Sequence, residues 1–171
     1  MDIYKLNNKR LDSVESVNFD SEKETQSIVE NNSKELFNLT FVKSEVTCEI
    51  FRFDSLCWDE ENNSFVIIEY KNSKSSSVID QGYSYLSTML NNKSDFILEY
   101  IESMDKSLKK ENVDWSQSRV IFVSTSFTEY QKNSVNFKDV PFELWEIQKF
   151  SNGTLGLSQV MSNSKESIKG L

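Results

Sequence analysis

The stretch Phe65-Val66-Ile67-Ile68-Glu69-Tyr70-Lys71 decides the fold of this chain. Its first four residues are apolar and rich in β-branched side chains, which predicts a buried strand. Because strand side chains alternate, Glu69 and Lys71 leave the strand on one face and Tyr70 leaves it on the other. Opposite charges at the end of a buried strand are costly to desolvate unless a ligand or a metal ion uses them. The stretch therefore predicts a functional site at the end of a core strand.

A second carboxylate, Asp54, lies fifteen residues before Glu69 in strand-like sequence that runs from Phe41 to Cys57. The polar segment Asp59 to Asn63 predicts a chain reversal, and the resulting hairpin would bring Asp54 beside Glu69. Two carboxylates and one ammonium suit a divalent cation next to a phosphodiester. The sequence has no His and two Cys, so we expect oxygen ligands and Mg²⁺ or Mn²⁺ rather than zinc.

Helical and strand patterns alternate along the rest of the chain, which predicts an α/β fold with a mixed sheet. Ser21-x-x-Glu24 is a capping-box pattern that opens the first helix. The predicted helices are Ser21 to Asn38, Val78 to Leu90, Asp95 to Met104 and Thr128 to Val135. The further predicted strands are Val120 to Val123, Phe142 to Ile147 and Leu155 to Val160. Asn72 to Ser77 is a predicted loop.

The length of 171 residues predicts one domain with a substantial core. Residues 1–18 have the pattern of an N-terminal arm or an edge strand. Residues 19–161 form the predicted domain. Residues 162–171 are polar and without periodicity, which is typical of a flexible tail or of a truncated linker to a further domain.

The arrangement Asp54…Glu69-x-Lys71 resembles the core motif of the PD-(D/E)XK superfamily, the restriction-endonuclease-like metal-dependent nucleases. Gln81-x-x-x-Tyr85 resembles the Gln-x-x-x-Tyr motif of its RecB-like and archaeal branches. Over residues 19–160 the chain is most similar to an uncharacterised prokaryotic group within that superfamily, sometimes labelled predicted transport protein. The resemblance implies a restriction-endonuclease-like mixed β-sheet flanked by helices. It also implies Mg²⁺-dependent hydrolysis of phosphodiester bonds, with DNA favoured over RNA as the substrate.

By this resemblance, Asp54 and Glu69 would bind the metal, and the main-chain carbonyl of Tyr70 would complete the protein's ligands. Lys71 would position the attacking water or stabilise the developing charge. Gln81 would approach the active site or the substrate. The alternative is a catalytically silent module with the same fold, which would bind nucleic acid or a protein partner.

The resemblance further implies an acid from the first helix, either Glu24 or Glu30. We favour Glu24, although its place in the capping box is a complete structural explanation. Glu45 matches the most similar group but also fits an edge-strand carboxylate. Arg52 lies on the same side of its strand as Asp54 and could pair with an acid or contact phosphate. Tyr85 lies one helical turn after Gln81 and fits the apolar core equally well.

The formal net charge of −8 counts against a general nucleic-acid coat, which is normally basic. A nuclease needs only a local stripe of Lys and Arg, so nucleic acid remains the expected partner, and the resemblance implies DNA. A second copy of the chain, or a further domain or protein, is an additional expected partner. No apolar run approaches the 18 residues that a membrane helix needs, so we expect neither a membrane nor a transporter. The lack of a signal-peptide pattern predicts a cytoplasmic location.

Overall fold

The computed structural model describes residues 1–71 and 77–170, so most of the predicted loop at 72–77 lies outside the described residues. The strands are β1 (Ile3–Asn7), β2 (Arg10–Val14), β3 (Ser16–Val17), β4 (Thr40–Cys48), β5 (Phe51–Asp59), β6 (Ser64–Lys71), β7 (Arg119–Ser124), β8 (Phe142–Phe150) and β9 (Leu155–Gln159). The helices are α1 (Glu22–Asn31), α2 (Ser33–Phe37), α3 (Val78–Asn91), α4 (Lys93–Met104) and α5 (Glu129–Ser134). Short 3₁₀ turns occur at Lys110–Asn112, Trp115–Gln117 and Ile168–Gly170.

Seven strands form one mixed sheet in the order β3-β8-β7-β6-β5-β4, with β9 also paired to β8. The pairs β6–β7 and β7–β8 are parallel, and the other pairs of this sheet are antiparallel. Strands β1 and β2 form a separate hairpin. The predicted fold class, α/β with a mixed sheet flanked by helices, is confirmed. In the described part of the chain, no helix is long and apolar enough to cross a membrane.

The alternation of side chains along β6 divides the interior into two cores, one on each face of the sheet. Phe65 and Ile67 pack on the face that α3 and α4 cover, with Tyr85, Met89 and Phe96. The opposite face carries the smaller core with α1, which contains Val29, Leu39, Cys57, Val66, Ile68, Tyr70, Ile121, Val123 and Ile147. Glu69 therefore belongs to the α3 face and Tyr70 to the α1 face, as the alternation predicts.

The first helix is shorter than predicted, because the chain breaks at Asn32 before continuing as α2. Asn32 has φ −132° and ψ 22°, outside the helical region, and its side chain donates to the Ile28 carbonyl at 2.8 Å. An Asn side chain that bonds the preceding turn competes with helix continuation. The second segment ends at Asn38, which takes the left-handed conformation typical of a helix C-cap. The prediction of one continuous helix to Asn38 is wrong for this reason.

The residues that follow β9 contact the loop between α5 and β8. Lys138 donates its main-chain N–H to the Glu166 carbonyl at 3.0 Å. The Asp139 carboxylate accepts the main-chain N–H of Ile168 at 2.9 Å and also a hydrogen bond from the Ser167 hydroxyl. These contacts hold part of the polar C-terminal segment against the domain.

Gly82 allows α3 to lie unusually close to the sheet. A Cβ atom at this position would lie 2.6 Å from Cε1 of Phe142 in β8, well inside van der Waals contact. Gly82 lies between Gln81 and Tyr85 on α3, so the same close approach brings these two side chains to the end of β6.

We expect Gly82→Ala to lower the free energy of unfolding by about 1–3 kcal/mol, because the added methyl overpacks the interface with Phe142. Helix propensity alone would favour Ala by about 1 kcal/mol, so a net loss would isolate the clash. Urea denaturation of the wild type, Gly82→Ala, Phe142→Leu and Gly82→Ala/Phe142→Leu measures the effect. The smaller Leu side chain should make the combined loss less than the sum of the two single losses. A neutral or stabilising Gly82→Ala would contradict this account.

Candidate active site

Asp54 and Glu69 meet where β5 and β6 separate. Their regular pairing runs from Asp59–Ser64 to Ser55–Ile68. At the next positions, hydrogen bonds from the main chain to side chains replace the main-chain hydrogen bonds between the two strands. Glu69 Oε2 accepts the main-chain N–H of Asp54 at 3.3 Å, and Asp54 Oδ2 accepts the main-chain N–H of Tyr70 at 3.1 Å. Each carboxylate thus accepts an N–H group of the other strand, which places the two acids side by side, as the hairpin argument predicts.

Glu69 is also held from the α3 face. Its Oε1 accepts hydrogen bonds from the Tyr85 hydroxyl at 3.1 Å and from Gln81 Nε2 at 3.2 Å. Gln81 Nε2 further donates to the Tyr85 hydroxyl at 2.8 Å. The Gln-x-x-x-Tyr spacing therefore places both side chains on one carboxylate oxygen, while the Tyr85 ring packs edge-on against Phe53, with centroids 4.7 Å apart. Tyr85 belongs to the core and to the site at once.

The environment raises the pKa of both acids. Burial is the main cause of the increase of the Glu69 pKa to about 7, and the neighbouring Asp54 charge adds to it. Burial likewise raises the pKa of Asp54, the Tyr70 N–H bond opposes this increase, and the nearby Glu22 charge adds to it. The Lys71 ammonium lies close enough to oppose both increases. A buried acid beside a half-buried acid favours a bound cation or a shared proton.

A cavity of about 270 Å³ opens beside Lys71 on the α1 face. It lies at the carboxyl ends of the parallel strands β6 and β7, where binding sites of α/β sheets commonly form. Its lining is mostly polar and consists of Asn18, Phe19, Asp20, Ser21, Glu22, Thr25, Tyr70, Lys71, Ser124, Thr125 and Ile147. Tyr70 and Lys71 of the candidate site line this cavity, and neither Asp54 nor Glu69 is part of its lining.

The structure places the predicted third acids elsewhere. Glu24 bonds Lys149 Nζ at 2.7 Å and accepts the Asp20 N–H at 2.6 Å, while Ser21 caps the helix as predicted. Glu30 accepts hydrogen bonds from Ser44 and Ser55, at 2.8 Å and 2.7 Å. Neither contact set includes Asp54 or Glu69.

The helix residue whose charge acts on Asp54 is Glu22, which the sequence analysis did not select. The Ser21 cap places Glu22 in the first turn of α1. Nothing in the sequence distinguished Glu22 from Glu24 as the acid that faces the sheet end. The hydroxyl-bearing residues Ser124 and Thr125 were also missed, because their place beside Lys71 depends on the parallel pairing of β6 with β7.

Glu45 and Arg52, two of the four possible accessory residues beside Glu30 and Tyr85, pair with each other. Arg52 Nη2 lies 2.6 Å from Glu45 Oε2, and Lys23 of α1 bonds the other oxygen of Glu45. Glu45 has φ +57° within β4, a conformation that is uncommon for residues other than Gly and Asn. The paired positions of β4 and β5 pass from Ser44–Ser55 directly to Val46–Phe53, so this irregularity faces Asp54.

The donor set fits a small oxygen-liganded cation. Within residues 1–71 and 77–170, no three His, Cys, Asp or Glu side chains cluster around one point. Mg²⁺ normally requires only one or two carboxylates, with water and substrate oxygens as its other ligands. Gln81 Oε1 is buried and has no hydrogen-bond partner in the described part of the chain. A water molecule in an occupied site would supply that missing donor.

We expect the raised pKa of Glu69 to make the protein less stable as pH increases from about 4.5 to about 7. In this interval the unfolded state has lost the Glu69 proton while the folded state retains it, so the free energy of unfolding falls. The full loss above pH 7 is on the order of 3 kcal/mol at most. Glu69→Gln cannot titrate, and its stability relative to the wild type should therefore rise over this interval.

Urea denaturation at pH 5, 6, 7 and 8 in the presence of EDTA tests this expectation. Glu143→Gln, on a half-buried carboxylate of β8 whose partners are Arg119 and Trp145, is the control for loss of one acid. Stability curves of wild type and Glu69→Gln that stay parallel from pH 5 to pH 8 would contradict the raised pKa.

Comparison with known proteins shows one sequence relative and three structural neighbours. An uncharacterized protein of Haemophilus influenzae is 43% identical over 172 residues, and the match covers the whole chain but 57% of that relative. The chain therefore spans little more than half the length of the curated relative it matches. No family model matches the chain. The transport label has no support in these matches.

The structural neighbours are similar at low sequence identity. An EndoMS–dsDNA2 complex shares 17% identity over 77% of this chain and 47% of its own, with a TM-score of 0.44. A repair endonuclease from Pyrococcus abyssi is 19% identical, and the match covers 74% of this chain and 47% of the endonuclease, with a TM-score of 0.40. SfsA of Pyrococcus furiosus in complex with Ca²⁺ is 12% identical, and the match covers 80% of this chain and 61% of SfsA, with a TM-score of 0.38. All three TM-scores are below 0.5, so these neighbours are not evidence for the function of this chain.

Proposed function

We propose that this chain is a nuclease of the PD-(D/E)XK superfamily that hydrolyses phosphodiester bonds with Mg²⁺ or Mn²⁺. One observation carries the proposal: Asp54 and Glu69 each accept a main-chain N–H of the other strand where β5 and β6 separate, and the Lys71 ammonium lies close enough to lower both pKa values. Such a pair, one acid buried and the other half-buried, is costly for folding and has no packing benefit. A divalent cation would neutralise the repulsion between them.

Asp54, Glu69 and the carbonyl of Tyr70 would hold the cation. When bound, the cation would supply charge neutralisation at the scissile phosphate and activate the attacking water. Gln81 and Tyr85 fix Glu69 through its Oε1 atom. Lys71 would place its ammonium next to the phosphate and stabilise the negative charge that develops there. The assignment of DNA as substrate rests on the superfamily resemblance, and RNA is the comparison substrate in the test below.

We expect Mn²⁺ to bind the wild type with an affinity that increases from pH 6 to pH 8, because the cation competes with the proton on Glu69. Asp54→Asn and Glu69→Gln keep the side-chain shape and remove one ligand charge, so each should weaken binding at least tenfold while the fold persists. Isothermal titration at three pH values, with circular dichroism on the same samples, measures both. Unchanged Mn²⁺ affinity in both variants would remove these residues from the metal site.

Lys71→Met separates an enzyme from a silent module. A cation at position 71 repels a bound metal, so its loss should preserve or increase Mn²⁺ affinity. Cleavage of DNA should nevertheless fall by at least two orders of magnitude, because the charge next to the phosphate is lost. The assay uses single-stranded, duplex and branched DNA, and RNA, with Mg²⁺ or Mn²⁺. Lys34→Met, on the exposed surface of α2, is the matched control.

A wild type that leaves all of these substrates intact with both metals would reject the enzyme. The catalytically silent module would then be preferred, and the acidic balance of the chain would favour a protein partner.

A further inference from the structure

We propose that Gln26 of α1 is a positioning residue for Asp54, and that the half-buried Glu30 carboxylate anchors Gln26 in that role. The proposal rests on the metal site proposed above. It assigns to a neutral amide, remote in sequence from Asp54, the task of fixing the main chain of a metal ligand.

Gln26 is 6% exposed, and its side-chain nitrogen contacts three residues, one each in α1, β4 and β5. Its Nε2 atom lies 2.9 Å from the Asp54 carbonyl oxygen, 2.9 Å from Glu30 Oε1 and 3.0 Å from Ser44 Oγ. A carbonyl and a carboxylate can only accept hydrogen bonds, so the amide nitrogen has to face them. The orientation of the amide is thereby fixed by its neighbours.

Glu30 holds Gln26 in place from behind. Its Oε1 atom accepts hydrogen bonds from Gln26, from Ser44 Oγ at 2.8 Å and from Ser55 Oγ at 2.7 Å. The single Ser55 proton points to Glu30, so in the 2.9 Å contact between Ser55 and Tyr70 the Tyr70 hydroxyl is the donor. One Glu30 oxygen therefore joins α1 to β4 and β5. The bond between Tyr70 and Ser55 adds β6 to this cluster.

The result is that Asp54 is held through three of its polar atoms, twice by β6 and once by α1. Its N–H donates to Glu69, its Oδ2 accepts from the Tyr70 N–H, and its carbonyl accepts from Gln26. Of these three bonds, the Gln26 bond alone comes from outside the β5–β6 pair. It acts where β4 is irregular opposite Asp54, which is where the strand ladder constrains Asp54 least.

The chemistry of the amide suits this task. A Lys or Arg at position 26 could also donate to the carbonyl, but its positive charge would repel a divalent cation close by. An apolar residue would leave the buried carbonyl and part of the Glu30 carboxylate without donors, which is costly. Outer-shell partners of this kind commonly change metal affinity by 10- to 100-fold when they are replaced.

The test compares Gln26→Met with Val29→Ala on the same helix. Met keeps the length of Gln and removes the donor, whereas Val29→Ala removes buried apolar volume from α1 and leaves the Gln26 contacts intact. Isothermal titration with Mn²⁺, on folded protein well below the unfolding temperature, gives the affinity of each variant. Urea denaturation gives its stability. Hydrogen exchange by NMR gives the protection of the Tyr70 amide, which donates to Asp54.

We expect Gln26→Met to weaken Mn²⁺ binding about tenfold and to increase exchange of the Tyr70 amide more than Val29→Ala does at comparable loss of stability. Val29→Ala should bind Mn²⁺ within twofold of the wild type. Ser44→Ala, which removes one hydroxyl of the same cluster, is the milder variant if Gln26→Met does not fold, and should weaken Mn²⁺ binding about threefold.

Affinity that follows stability in the same way for both helix variants would overturn the proposal, as would unchanged affinity in Gln26→Met. If the wild type itself binds no Mn²⁺, the proposed function fails first. The exchange of the Tyr70 amide then decides the positioning role alone: equal protection in Gln26→Met and Val29→Ala would reject it.

Discussion

The candidate site depends on two hydrogen bonds between β5 and β6, in each of which a carboxylate of one strand accepts a main-chain N–H of the other. Where the ladder ends, Glu69 accepts the Asp54 N–H and Asp54 accepts the Tyr70 N–H. Each acid thus replaces a main-chain acceptor of the neighbouring strand, so no buried N–H is left unpaired at this point. The same bonds hold the two acids side by side. Burial raises the pKa of both acids, and the Asp54 charge adds to the increase at Glu69. The bonds that satisfy the backbone are therefore the same bonds that bring the two acids together.

The elements around this pair support it from two sides. On one face, Gly82 lets α3 approach β8 closely, and Gln81 and Tyr85 reach Glu69 from that helix. On the other face, α1 supplies the amide that reaches the Asp54 carbonyl. The two helices therefore hold different acids, and the sheet between them sets the distance. A change in either interface would alter the geometry of the pair without touching a carboxylate.

Under the proposed function, a bound cation would reconcile an acidic chain with a polyanionic substrate. With a net charge of −8, general attraction to nucleic acid is unfavourable. A divalent cation between Asp54 and Glu69, together with Lys71, would concentrate positive charge at one point. Arg52 is paired with Glu45, so it adds no free charge in this structure. Binding of a substrate would then depend on the metal more strongly than in a basic nuclease.

The sequence by itself determined the class of fold and the core of the site. Strong apolar runs and strand alternation predicted β6, the hairpin before it and the position of Glu69, because local side-chain periodicity reports burial directly. The sequence also placed Gln81 and Tyr85 on one helical face, since their spacing is one turn. It predicted one helix where Asn32 breaks the chain, because competition between an Asn side chain and the helix is a weak local signal. Only the tertiary structure decided which acid of α1 acts on Asp54 and that Gln26 contacts its carbonyl. These contacts depend on how α1 is rotated against the sheet, and that rotation is set by packing of the whole α1 face rather than by any residue pattern within it.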